Sequence, residues 1–121
     1  MEIDQKAAMK ALNAAVRERG PSFVYNVDAG CLYSDGEAPS CGVGLALNKL
    51  GVDVETLNYM DTCGSNTTID SVSVRKFLMA QKINLSHQAL KVFKAFQHAQ
   101  DSGKTWGTAL RNARRAAKDV G

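Results

Sequence analysis

The sequence predicts an α+β fold, predominantly α, with about five helices and one small β-hairpin in a single domain. Three observations lead there. Apolar residues recur at helical spacing over most of the chain. Capping residues and glycine or proline stops bracket those stretches. The segment after Pro21 is β-branched and aromatic with period-two alternation.

Residues 4–19 form the first predicted helix. Ala8, Leu12, Ala15 and Val16 share one stripe, and Lys6, Lys10 and Arg17 avoid it. Asp4 stands at the N-cap. Gly20-Pro21 ends the helix, because glycine takes the left-handed cap and proline cannot continue. Residues 22–34 predict the hairpin. Phe23-Val24-Tyr25-Asn26-Val27 runs out, Asp28-Ala29-Gly30 turns and Cys31-Leu32-Tyr33 returns. Tyr25 and Tyr33 are expected to meet across it.

Residues 40–50 predict a helix capped by Ser40. It is apolar nearly all round and therefore buried, and Gly42 and Gly44 permit close backbone approach. Gly51 stops it. Asp53 caps a short turn of helix over 53–60, and 61–68 reads as a loop. Ser71-Val72-Ser73-Val74 alternates like a strand, but Val74, Phe77 and Leu78 step like a helix, and length favours a helix over 71–81.

Ser86 caps a helix through Asp101, with Ala89, Val92, Phe93, Phe96 and Ala99 on one face. Ser102-Gly103 breaks it. Thr105 caps a last helix to about Val120, with Trp106, Leu110, Ala113, Ala117 and Val120 on one face. Trp106 is the expected anchor of that helix. The short break makes the last two helices an antiparallel or steeply crossed pair.

The 121 residues are 45% apolar and 22% charged, which suits one globular domain over 1–121. No apolar run reaches about 18 residues, so no membrane partner is expected. The first residues lack the basic-then-apolar order of a signal peptide. Cys31, Cys41 and Cys63 are odd in number and form no Cys-x-x-Cys pair. Free thiols in a reducing cytoplasm are expected.

The net charge of +3 hides a split along the chain. Residues 82–121 carry eight Lys or Arg against two acids, a balance of +6; residues 21–70 carry one base against seven acids, a balance of −6. Such a bipolar chain points to association with an anion, a partner or a second copy. On the last helix Arg111, Arg114, Arg115 and Lys118 fall within an arc of about 100°. Lys104 precedes them on the same side, and Lys91, Lys94 and His98 lie on the polar side of the helix before. The two helices are expected to join Lys91, Lys94, Lys104, Arg111, Arg114, Arg115 and Lys118 in one basic surface. It would engage a nucleic-acid backbone or an acidic protein. The plainer account is a solvated face whose late bases suit the helix dipole. The patch lacks the interleaved aromatics of single-strand binders.

Other residues carry weaker signals. Cys41 near a helix N-terminus would favour thiolate, with His87 or His98 as base, and so supports a small Cys-dependent enzyme as the alternative function. Cys31, Cys41, Cys63 and His87 are zinc-ligand types without the usual close spacing. Asp35/Glu37 and Asp53/Glu55 read as ordinary capping acids. Gly103-Lys104-Thr105 lacks the upstream strand and first glycine of a phosphate-binding loop. No catalytic residue, metal or cofactor is assigned. A third account is a homo-oligomer, the acidic segment of one copy meeting the basic segment of another.

Several short stretches carry a resemblance. They are Phe23-Val24-Tyr25, Cys31-x-Tyr33, Pro39-Ser40-Cys41-x-Val43-Gly44, Leu50-Gly51-Val52, Ala99-Gln100-Asp101 and Thr105-Trp106-Gly107-x-Ala109-Leu110. Over about residues 22–115 the chain resembles a family of small, uncharacterised proteins of actinobacterial bacteriophages. Gly42 departs from that family, whose members often have a bulkier residue there. The family has no established activity and carries over no catalytic residue. The resemblance implies a phage accessory protein in a bacterial host cytoplasm, working in host takeover or anti-defence by binding. A small non-enzymatic binding protein is the leading expectation.

Overall fold

The computed structural model describes residues 1–25 and 32–118. Along them run β1 (Glu2–Ile3), α1 (Gln5–Arg19), α2 (Gly42–Lys49), α3 (Val54–Met60), α4 (Val72–Ala80), β2 (Asn84–Leu85), α5 (His87–Asp101) and α6 (Trp106–Lys118). The fold is α+β and mostly α.

The helices start where short polar side chains close the first turn. Asp4 accepts from the Ala7 N–H at 2.8 Å, and Asp53 from Thr56 at 2.8 Å. Ser71 accepts from Val74 at 3.3 Å, Ser86 from Ala89 at 3.0 Å and Thr105 from Thr108 at 3.2 Å. At α2 the cap is Cys41 rather than Ser40, its Sγ accepting from the Gly44 N–H at 3.3 Å. Ser40 is engaged elsewhere, its hydroxyl 2.8 Å from that of Tyr25.

The sheet is a short parallel pair, Glu2 opposite Asn84 and Ile3 opposite Leu85. It ties the start of the chain to the entry of α5. The turn of the expected hairpin, and residues 26–31 altogether, lie outside the described residues, as does Val120. The described ends of that segment pair elsewhere: Val24 bridges Thr105, and Ser34 bridges Pro39. Tyr25 and Tyr33 send their hydroxyls apart, Tyr25 to Ser40 and Leu32, Tyr33 to the Thr67 carbonyl and Gln97.

One apolar core runs through α1, α2, α5 and α6. Trp106 is fully buried at its centre, edge-on to Phe23 at 4.7 Å and to Phe96 at 5.8 Å. The Arg19 guanidinium lies 5.5 Å from both the Phe23 and the Trp106 ring. α2 is buried from Gly42 to Leu47. A Cβ at Gly44 would stand 2.1 Å from the Tyr33 carbonyl oxygen, and one at Gly42 2.1 Å from the Phe96 ring. The glycines therefore set how closely α2 packs on its neighbours.

α1 and α6 lie side by side and antiparallel. The Gln5 side-chain amide donates to the Ala117 carbonyl at one end. The Gly107 N–H donates to the Pro21 carbonyl at 2.8 Å just past the other. No helix among the described residues is long and apolar enough to cross a membrane.

Candidate functional site

α6 contains four bases and no acid between Trp106 and Lys118. Its buried side carries Trp106, Ala109, Leu110 and Ala113, which turns Arg111, Arg114, Arg115 and Lys118 to solvent. These four line one shallow depression. Arg111 donates to the Thr108 hydroxyl at 3.0 Å, and Arg114 to the Asn13 side-chain oxygen of α1 at 2.8 Å. None of the four meets a carboxylate among the described residues; the ion pairs there are Lys49–Glu18 at 2.9 Å and Lys94–Asp70 at 3.0 Å. Lys104 is exposed in the turn before α6.

The depression that the four α6 bases line includes no lysine of α5. Phe96 of α5 points at Trp106, and the Ala99 carbonyl accepts from the Lys104 N–H at 3.1 Å, so this side of α5 meets α6. Gln97 faces the loop before α4, taking the Ile69 N–H at 2.9 Å. Lys94, one turn before His98, is drawn to Asp70 in that same loop. Partial burial works against the Asp70 carboxylate, but the Lys94 ammonium and the Thr68 hydroxyl outweigh it, and its pKa lies below the ordinary value. Lys91 is half-buried. The helix beside the basic arc of α6 is α1, to which periodicity assigns no such role. Only the contacts at Gln5, Asn13 and Pro21 reveal it.

The acidic segment is engaged differently. Asp61 accepts from the N–H groups of Tyr33 at 2.8 Å and Ser34 at 3.2 Å. Burial raises its pKa above the ordinary value despite those two donors. Asp35 accepts from Glu37 and Ala38, both at 2.9 Å, and these bonds lower its pKa. Asp53 is lowered likewise by its bonds to Thr56 at the start of α3.

The two described cysteines are poorly placed for chemistry. Cys41 is fully buried, and its sulfur is occupied as the α2 cap. His87 and His98 are exposed on α5. Cys63 donates to the Tyr59 carbonyl at 3.3 Å. Burial and the nearby Asp61 charge push its thiol up, away from thiolate. Cys31 lies outside the described residues. Among the described residues no three of His, Cys, Asp and Glu come together as metal ligands would.

No protein-family model, curated protein or solved structure matches the chain.

Proposed function

We propose that this chain is a small non-enzymatic binding protein whose α6 face engages a nucleic-acid backbone. Lys104, Arg111, Arg114, Arg115 and Lys118 would contact phosphates and act by steric and electrostatic occlusion. The observation that carries this reading is the absence of carboxylate partners: four exposed bases on one arc, with no ion pair among the described residues. Arginine predominates among them, and its planar fork matches phosphate oxygens. The resemblance noted in the sequence adds a setting, a phage accessory protein in a bacterial cytoplasm, acting in host takeover or anti-defence.

The test is retention from a bacterial lysate with and without nuclease. Wild-type protein is expected to co-purify nucleic acid, and Arg114→Glu with Arg115→Glu to lose it. One stoichiometric acidic protein that survives nuclease would replace the ligand class. Retention of nucleic acid by the charge-reversed variant would remove α6 from the reading.

A further inference from the structure

We infer that the binding surface continues across α1 and that its ligand is double-stranded nucleic acid held by its phosphates; this rests on the reading of α6 above. α1 buries Ala8, Ala11, Leu12, Ala15 and Val16, which leaves Lys6, Lys10 and Arg17 exposed on its outer arc. These three line a shallow depression with Asn13 and Ala14. Asn13 is also the acceptor for the Arg114 guanidinium, so the depression borders the α6 face directly. Neither Lys6, Lys10 nor Arg17 meets a carboxylate among the described residues. The single acid within α1, Glu18, is held by Lys49 at 2.9 Å.

The antiparallel packing of α1 on α6 sets these groups in two rows. Lys6 to Arg17 spans about 16 Å of helix axis, and Arg111 to Lys118 about 10 Å. Packed helix axes stand about 8–10 Å apart. A duplex presents one charge per about 1.7 Å of its axis, or about nine phosphates over the longer row. Two rows totalling seven bases suit two strands better than one. Single strands are normally held by stacking on exposed aromatics. The single aromatic of α1 and α6 is Trp106, and it is fully buried. Base-edge reading also lacks a free amide at the junction, since Asn13 accepts from Arg114 and donates to the Met9 carbonyl at 3.0 Å. Contacts to phosphates alone carry no sequence information, so the proposed binding is independent of sequence.

The experiment is fluorescence anisotropy with a labelled mixed-sequence DNA duplex about two turns long and with its component single strand, over a salt series. The wild type is expected to bind the duplex at least about tenfold more tightly than the strand. Lys6→Ala with Lys10→Ala and Arg17→Ala is expected to lower the salt slope for the duplex by about 3, and Lys10→Ala alone by about 1. Arg75→Ala with Lys76→Ala on α4 controls for net charge and should leave the slope unchanged. Thermal melting establishes that each variant is folded. Duplex binding that α1 substitution leaves intact would overturn the role of α1 while sparing that of α6. Equal or tighter binding of the single strand would overturn the duplex assignment. No binding of either probe would remove the underlying reading of α6.

Discussion

Segment 33–70 and helix α6 carry charge of opposite sign, and they use it in opposite ways. In the segment four of the six carboxylates turn towards the chain itself. Asp61 closes on Tyr33 and Ser34, Asp35 on Glu37 and Ala38, Asp53 on α3, and Asp70 on Lys94. In α6 the bases turn to solvent, and where they bond at all they bond to the neutral Thr108 and Asn13. Carboxylates have many backbone N–H donors to satisfy near turns and helix starts, whereas a base on a mid-helix surface has few local acceptors. Clustered charge in sequence thus becomes scaffold in one region and an available surface in the other.

The sharpest way to break this contrast is to disturb the scaffold. Gly44→Ala should be the most damaging single change, because the Cβ would enter the Tyr33 carbonyl at 2.1 Å and backbone atoms cannot step aside. A loss of about 3 kcal/mol in urea unfolding is expected. A change within about 0.5 kcal/mol would show that α2 and the Tyr33 backbone are not locked together.

Asp61→Asn tests the carboxylate side. Asparagine has one acceptor oxygen where aspartate has two, so one of the buried N–H groups of Tyr33 or Ser34 loses its partner, at about 1–3 kcal/mol near neutral pH. The pH dependence has a definite sign. Asp61 holds its proton more tightly folded than unfolded, so its contribution to stability falls as pH rises from the ordinary value of 3.8 through the raised folded pKa and is level above it. Asp35, Asp53 and Asp70 work the other way, their stabilisation being lost as pH falls through their lowered folded values. In urea unfolding over a pH series, Asp61→Asn should remove the first trend and leave the second. An unchanged profile would mean that Asp61 is not the group responsible.

The smallest effect belongs to α6. Arg111→Ala with Arg115→Ala should move folding stability by no more than about 0.5 kcal/mol, because neither side chain supports the core. A large loss in the same unfolding assay would make these bases structural and dissolve the contrast.

Much of the secondary structure was legible because its causes are local. Asp4, Asp53, Ser86 and Thr105 all cap where the sequence places them, since a cap needs only its own first turn. Trp106 was legible as the anchor by its size and its place on the apolar face. Cap choice at α2 was not, because the Tyr25 hydroxyl draws Ser40 away across a long stretch of chain. Nor was the parallel pairing of Glu2–Ile3 with Asn84–Leu85, two residues a side carrying no readable pattern.

The candidate site divides along the same line. Helical periodicity by itself determined that Arg111, Arg114, Arg115 and Lys118 share an arc, because 100° per residue is a property of the backbone. Which helix lies beside that arc was decided only by tertiary structure. α5 follows almost directly into α6, yet it meets α6 through Phe96 and Ala99 and turns Lys94 to Asp70. The arc is bordered instead by α1, nearly the whole chain away, through Gln5, Asn13 and Pro21. A wheel fixes the direction of each side chain about its own axis; how two axes are rotated against each other depends on which side chains interlock in the core between them.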